Sequence, residues 1–169
     1  MKIAEASSTD IPSICTLVNS AYRGDTSRKG WTTEAALLDG LRIDEPTLQH
    51  HIQDSDTVIL KATDEDNKII GCVYLKLEQE QLYLGMLTVS PLLQSKGTGK
   101  LLLRASEEKA MLSGCKKIVM TVLSTRIELL NWYERQGYYA TGEKQPFPTD
   151  KKFGIPKMPL EFLVLEKIL

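Results

Sequence analysis

The fold of this chain is decided by residues 87–102, which read LTVSPLLQSKGTGKLL. An apolar, strand-like segment is followed by a turn that contains Gly97 and Gly99, and then by a helix-like segment. The first N–H groups of a helix have no internal partners and, together with the helix dipole, favour an anion. Because the two glycines carry no Cβ, a phosphate can approach the backbone closely. The pattern therefore predicts an anion site, with Lys96 and Lys100 adding positive charge nearby.

Two better-known phosphate motifs do not fit this turn. A Walker A loop would have Gly at the position of Gln94 and Ser or Thr after Lys100, where Leu101 stands. The dinucleotide fingerprint would have a small residue at the position of Leu102, and it belongs near the start of a Rossmann unit. A nucleoside triphosphatase and a nicotinamide enzyme are therefore disfavoured. A tight turn without any ligand is the remaining alternative, because glycine pairs are common in turns.

The segments around the turn predict a single domain, residues 1–169, that is built on a mixed sheet. Before the turn we predict helices at about 11–22, 34–38 and 44–51, and consecutive strands at 57–62, 69–77 and 82–89, with a bulge or close backbone approach at Gly85. After it we predict helices at 98–112 and 127–136 and strands at 117–123 and 162–165. A meander followed by alternating elements is typical of an α/β (α+β) fold with helices on both faces of the sheet.

Composition and charge exclude several classes of protein. The chain has 21 Lys and Arg against 22 Asp and Glu, so it lacks the basic footprint of nucleic-acid binding. Cys15, Cys72 and Cys115 form no CxxC pair and no histidines cluster, so neither a metal site nor a disulfide scaffold is predicted. No stretch approaches the roughly 20 apolar residues of a membrane span, and the amino terminus lacks the apolar core of a signal peptide. We therefore expect a cytoplasmic protein that acts without nucleic acid, membrane or metal.

The turn, and the helix that follows the next strand, carry a specific resemblance. Residues 94–99, QSKGTG, resemble the Gln or Arg, x, x, Gly, x, Gly or Ala signature of the GNAT superfamily of acetyltransferases, and they follow a strand that ends in Val89-x-Pro91 as in that family. Residues 132–138, WYERQGY, resemble the end of a helix of that family, with Tyr, three residues, Gly and an aromatic residue. The resemblance in element order covers about residues 3–138. It implies a mostly antiparallel mixed sheet that is split by a V-shaped opening.

For function, the resemblance implies an acyl-CoA-dependent N-acyltransferase that transfers acetyl from acetyl-CoA to a primary amine by direct attack, without a metal. Tyr133 occupies the family's general-acid position, although an aromatic residue beside Trp132 on an amphipathic helix could equally pack in the core. A backbone N–H near Leu87 would polarise the thioester carbonyl. The residues implied in binding acetyl-CoA are Leu87, Thr88, Val89, Gln94, Ser95, Lys96, Gly97, Thr98, Gly99, Lys100 and Arg126.

Two positions depart from the family's pattern. Many relatives carry a Glu on the last strand of the meander, whereas residues 83–87, YLGML, contain no carboxylate. Glu78, Glu80 and Glu34 are alternatives as general base, as is water, and each of these glutamates could instead be a solvated surface charge. Arg126 stands where relatives frequently have an Asn that contacts the cofactor, and it could equally lie on the surface. These departures motivate a second hypothesis, a non-catalytic acyl-CoA-binding or regulatory module of the same fold.

The acceptor side is less well defined by the sequence. By resemblance, the segment between the first helices shapes the acceptor pocket, and its candidate residues are Tyr22, Trp31 and Glu34. Trp31 could instead pack against the core. Residues 145–148, QPFP, and 153–156, FGIP, predict a stiff loop that covers the acceptor. We expect a small-molecule or peptide amine as acceptor, and a homodimer is among the oligomeric states that the sequence leaves open.

Overall fold

The computed structural model describes residues 1–152 and 154–169, so Phe153 of the predicted covering loop lies outside the described residues. The helices are α1 (Ile11–Tyr22), α2 (Gly24–Ser27), α3 (Glu45–Gln53), α4 (Thr98–Leu112) and α5 (Ile127–Arg135). The strands are β1 (Lys2–Glu5), β2 (Leu38–Asp39), β3 (Thr57–Thr63), β4 (Ile69–Glu78), β5 (Gln81–Val89), β6 (Lys117–Leu123), β7 (Tyr139–Pro146), β8 (Ile155–Pro156) and β9 (Glu161–Ile168). Among these described residues, no helix has the length and apolar character needed to cross a membrane.

One sheet of seven strands organises the molecule, in the order β1-β3-β4-β5-β6-β9-β7. Neighbouring strands are antiparallel throughout, except for β5 and β6, which run parallel. The short strands β2 and β8 pair with each other in a separate ribbon. The predicted mixed and mostly antiparallel sheet is therefore confirmed.

Helices cover both faces of this sheet, as predicted. A first cluster of buried side chains includes Ile14 of α1, Leu48 of α3 and Cys72 of β4. A second cluster includes Leu102 of α4 and Val73 of β4. Because neighbouring residues of a strand point to opposite faces, Cys72 and Val73 place the two clusters on opposite sides of the sheet.

A bulge interrupts the pairing of β4 with β5. Two residues of β5, Met86 and Leu87, lie opposite a single residue of β4, and Met86 takes a positive φ of 54°. Leu84 packs in the second cluster, whereas Met86 packs in the first. The bulge lies next to Gly85, where the sequence predicted it. Because of it, Leu84 and Met86 lie on opposite faces of the sheet although they are two residues apart.

The helix predicted over residues 34–38 is wrong. The backbone N–H groups of Leu37 and Leu38 donate to the carbonyl of Glu34, which makes one turn only, and β2 begins at Leu38. The N–H of Lys157 donates to the Leu37 carbonyl at 2.9 Å, directly after β8. Pairing with this distant segment overrides the local helix propensity.

Four strands were not predicted from the sequence, namely β1, β2, β7 and β8, and β9 extends beyond the predicted residues 162–165. The reason is clearest for β7, which reads YATGEKQP and is exposed along its whole length. It is an edge strand that pairs with β9. An edge strand with no buried face needs no alternation of apolar and polar residues, so no pattern marked it.

Candidate active site

The parallel strands β5 and β6 diverge at the centre of the sheet. They pair at three positions, from Gln81 with Lys117 to Tyr83 with Val119, although both strands continue for several residues beyond them. Beyond these positions the two strands separate, and no other strand lies between them. The sheet is therefore split at this point. This is the predicted V-shaped opening.

Two cavities occupy the opening. The first, here called the turn cavity, has a volume of about 410 Å³ and lies beside the glycine turn and the end of β5. The second, here called the cleft cavity, has a volume of about 640 Å³ and lies between β5 and β6. The residues that line both cavities are Tyr22, Leu87, Arg126, Leu129 and Tyr133. Molecules bound in the two cavities would therefore meet at these side chains.

The turn cavity brings together all but one of the residues predicted to bind acetyl-CoA. Those that line it are Leu87, Thr88, Val89, Gln94, Ser95, Gly97, Thr98, Gly99, Lys100 and Arg126. The exception is Lys96, which is exposed and does not line the cavity.

The start of α4 offers hydrogen-bond donors without partners. Gly97 precedes the helix with a φ of 87°, a left-handed conformation that favours glycine, and no side chain caps the helix. Thr98 is 1% exposed, and its Oγ1 has no hydrogen-bond partner among the residues that the structure describes. A buried hydroxyl left in this state costs roughly 1–3 kcal/mol. Because Thr98 lines the turn cavity, these donors fit an anionic group bound there.

Gly99 packs beside the ring of Trp132. A Cβ at this position would lie 3.4 Å from two atoms of that ring, which is the limit of an ordinary van der Waals contact. Trp132 in turn forms part of the wall of the turn cavity.

The side chain of Gln94 fastens the turn to two other segments. Its Nε2 donates to the carbonyl of Val89 at 3.2 Å, and its Oε1 accepts from the backbone N–H of Trp31 at 2.9 Å. A Cβ at Gly30 would overlap the same Oε1, so a larger residue there would displace the Gln94 amide from these two bonds. Gln94 thus holds the end of β5 and the segment around Trp31 in one arrangement.

Tyr133 lies where the two cavities meet. It is 5% exposed, and its hydroxyl has no hydrogen-bond partner within the described part of the chain. The ring packs edge-on against Trp132 and Tyr138, at centroid distances of 5.0 and 5.8 Å. Burial raises the pKa of Tyr133 well above its usual value. The side chain is therefore a neutral phenol that can donate a proton.

Tyr22, at the end of α1, contacts the bulge of β5. Its hydroxyl donates to the carbonyl of Leu87 at 2.9 Å. Burial raises the pKa of Tyr22 to about 12, so the hydroxyl remains a donor. The guanidinium carbons of Arg42 and Arg126 lie 5.2 and 5.9 Å from the centre of its ring. Tyr22 therefore fixes the Leu87 carbonyl and is flanked by two cations.

Glu34 is buried and binds two arginines. Its Oε2 accepts from Arg23 Nε at 3.2 Å, and its Oε1 accepts from Arg126 Nη1 at 3.1 Å. Arg126 also donates from Nη2 to Thr32 Oγ1 at 2.7 Å. The Nε of Arg126 has no hydrogen-bond partner among the described residues, and it lies 3.9 Å from Glu128 Oε1. Arg126 is therefore a buried residue between the cavities and not a surface residue at a helix start.

The sequence matches the Acetyltransferase (GNAT) family over residues 14–138. This chain belongs to the GNAT acetyltransferase family. Its fold is similar to that of ribosomal-protein-alanine N-acetyltransferase from Brucella melitensis, with a TM-score of 0.73, 20% identity and 100% of each chain covered. It is also similar to PaiA N-acetyltransferase from Thermoplasma acidophilum in complex with coenzyme A, with a TM-score of 0.66, 19% identity, and 99% of this chain and 98% of that chain covered.

A curated relative of this GNAT chain is the uncharacterized protein YdhI of Bacillus subtilis. The two are 26% identical over 77 residues, which is 46% of this chain. The match spans 47% of the length of that relative. Family membership therefore rests on the match over residues 14–138.

The three residues of the GNAT chain that were predicted to bind the acceptor are divided between the two cavities. Tyr22 lines both, and Glu34 lines the cleft cavity. Trp31 lines the turn cavity, where it is 44% exposed, and not the cleft cavity. Residues 145–148, predicted as part of a covering loop, line the cleft cavity, although Gln145 and Pro146 belong to β7. Sequence reasoning missed Arg42, which also lines the cleft cavity, because it lies in a polar connecting segment that belongs to no motif.

Proposed function

We propose that this GNAT chain transfers an acetyl group from acetyl-CoA to a primary amine by direct attack of the amine. The observation that carries the proposal is the position of Tyr133, a buried and neutral phenol at the junction of the two cavities. The complex of its structural neighbour from Thermoplasma acidophilum with coenzyme A supports the choice of donor. We assign the turn cavity to the donor and the cleft cavity to the acceptor.

The turn cavity suits acetyl-CoA, which would supply an activated acyl group as a thioester. The N–H groups at the start of α4 and the Thr98 hydroxyl would hold the pyrophosphate. Leu87 and Val89 at the end of β5 would pair with the pantetheine arm, and a backbone N–H near Leu87 would polarise the thioester carbonyl. Tyr22 supports this role, because its bond to the Leu87 carbonyl fixes the backbone there.

The acceptor amine has to lose a proton before it attacks, since an amine of the lysine type has a pKa near ~10.4. Three carboxylates of the described residues line the cleft cavity, namely Glu34, Glu78 and Asp150. Glu34 is held by two arginines, and Glu78 ends β4, where β5 and β6 are still paired. Asp150 already accepts a hydrogen bond from the backbone N–H of Lys152 at 2.9 Å. We therefore assign this proton to water in the cleft cavity. Tyr133 then gives its own proton to the departing thiolate sulfur and regains one from water in the cleft cavity.

The decisive experiment is to mix the purified protein with acetyl-CoA and a panel of amines and to follow the release of thiol. We expect release that depends on the amine, with the acetylated amine identified by mass spectrometry. The absence of a carboxylate from residues 83–87 of β5 favours the second hypothesis, a non-catalytic acyl-CoA-binding module. Saturable binding of coenzyme A without thiol release from any amine would support that module.

Replacing Thr98 by Val is expected to weaken the binding of coenzyme A by about tenfold, without lowering the free energy of unfolding. Valine has nearly the same shape but lacks the hydroxyl that would donate to a phosphate. A charged hydrogen bond of this kind contributes roughly 1.5–3 kcal/mol, and no bond within the apoprotein is lost. Calorimetric titration with coenzyme A and urea unfolding measure the two quantities.

Ser106→Ala is the matched control, because Ser106 lies in the same helix and is fully buried. Its hydroxyl already donates to the Leu102 carbonyl at 2.8 Å. This variant is expected to be less stable and to bind coenzyme A normally. An unchanged affinity in Thr98→Val would mean that the phosphates lie elsewhere.

A further inference from the structure

The cleft cavity contains three guanidinium groups, and they differ in their partners. Arg23 and Arg126 both bind Glu34. Arg42 forms neither an ion pair nor a side-chain hydrogen bond with any residue that the structure describes. Its guanidinium lies over the ring of Tyr22, with the carbon 5.2 Å from the ring centre. Arg42 is therefore the guanidinium of this cavity that is available to a bound molecule.

The backbone of Arg42 is held in place. Its N–H and the N–H of Ile43 donate to Asn19 Oδ1 at 2.8 and 3.1 Å. The residue is half-buried, and its guanidinium lies over the ring of Tyr22. A guanidinium presents a planar fork of donors, and such a fork matches a carboxylate in two parallel hydrogen bonds.

The pairing of charges favours an anion beside Arg42 at this end of the cleft cavity. Three guanidiniums line the cavity, and Glu34 pairs with two of them. The other carboxylates that line it are Glu78, at the end where β5 and β6 are paired, and Asp150, whose Oδ1 accepts from the backbone of Lys152 at 2.9 Å. Neither of these two carboxylates forms an ion pair with Arg42 in the described part of the chain.

Tyr22 sets the distance between Arg42 and the site of transfer. The guanidinium of Arg42 lies over the ring of Tyr22, and the Tyr22 hydroxyl donates to the Leu87 carbonyl. One phenol side chain thus separates the guanidinium from the backbone at which the thioester is expected. An amine that attacks there can reach Arg42 with an anion that is only a few bonds away.

We propose that the acceptor is an amine that carries a carboxylate a few bonds from its nitrogen, as a free amino acid does, and that Arg42 binds this carboxylate. The proposal rests on the proposed acetyl transfer and adds the class of acceptor to it. Arg42 would orient the acceptor so that its nitrogen faces Leu87 and Tyr133, without taking part in the proton transfers.

The test compares each of three amino acids (phenylalanine, leucine and glutamine) with its own amide and its decarboxylated amine. For the wild-type protein we expect kcat/KM to be about 10- to 100-fold higher for the amino acid, because a hydrogen-bonded carboxylate is lost in the other two. In Arg42→Gln the ratio is expected to fall toward one, mainly through KM of the amino acid. Arg42→Lys keeps the charge but not the fork, so an intermediate ratio is expected.

Arg104→Gln is the matched control, because Arg104 is exposed on α4 and lines neither cavity, and the wild-type ratio should persist in it. A wild-type protein that uses the amides and decarboxylated amines as well as the amino acids would overturn the proposal. An Arg42→Gln variant that keeps the wild-type ratio would also overturn it.

If no amine releases thiol, the proposed acetyl transfer fails. Calorimetric titration of the protein–coenzyme A complex with the amino acids then measures binding at the carboxylate site directly. Binding to the wild type that is lost in Arg42→Gln would support the site. No binding to the wild type, or binding that persists in Arg42→Gln, would refute it.

Discussion

Replacing Tyr133 by Phe is expected to lower the kcat of acetyl transfer by about 10²-fold, within the range that a general acid contributes. The substitution removes the hydroxyl whose proton we assign to the departing thiolate, and it keeps the ring that packs against Trp132 and Tyr138. The Kd of coenzyme A is expected to stay close to the wild-type value, because we assign its phosphates to the start of α4. Initial rates of thiol release at saturating substrates and calorimetric titration measure the two constants.

The matched control for this variant is Tyr138→Phe. Tyr138 is 1% exposed and lies outside both cavities, and its hydroxyl donates to Glu107 Oε1 at 3.4 Å. This variant should keep its kcat, which separates the loss of a proton donor from the loss of a buried hydroxyl in the same aromatic cluster. A wild-type kcat in Tyr133→Phe would remove Tyr133 from the mechanism.

Replacing Glu34 by Gln is expected to lower the free energy of unfolding by about 3 kcal/mol, because a buried ion pair loses one of its partners. The amide has the shape of the carboxylate, so the packing is kept. The charge that both Arg23 and Arg126 share is lost, and their side chains are 7% and 8% exposed. Water therefore cannot replace the carboxylate as it would at the surface. Urea unfolding followed by circular dichroism gives the difference.

Glu80→Gln provides the comparison for an exposed pair. Glu80 binds Lys116 at 3.0 Å, with side chains that are 72% and 73% exposed. Such pairs contribute about 0–1 kcal/mol, so this variant should unfold almost like the wild type. Equal and small losses in both variants would show that Glu34 is not essential to the stability of the junction between the cavities.

The features that the sequence predicted correctly depend on neighbouring residues. The strands of the meander alternate or are continuously apolar, and the glycine turn of residues 94–99 follows one of them directly. The helix over residues 98–112 has its amphipathic pattern and a glycine after its end. For these elements the local chain and the tertiary structure favour the same conformation.

The features that the sequence could not reveal depend on contacts between distant segments. Glu34 and Arg126 are 92 positions apart, and nothing in either segment marks them as partners. The single turn at Glu34 was predicted as a helix because its pairing with residues 155–157 is invisible locally. Arg42 and Trp31 occupy polar segments whose position is set by Asn19 and Gln94, respectively. Their place in the cavities had to come from the structure.

The bulge in β5 makes the two halves of that strand separable for protein engineering. Leu82 and Leu84, before the bulge, are packed in the core, whereas Leu87 and Val89, after it, form walls of the turn cavity. A library restricted to the second half can therefore vary the shape of the ligand wall while the first half preserves folding. Deleting one residue at Met86 would instead restore a regular strand, because Gly85 and Thr88 already pair with Tyr74 and Cys72, which are two residues apart on β4. Met86 thus marks the boundary between the half of β5 that is packed in the core and the half that forms the cavity wall.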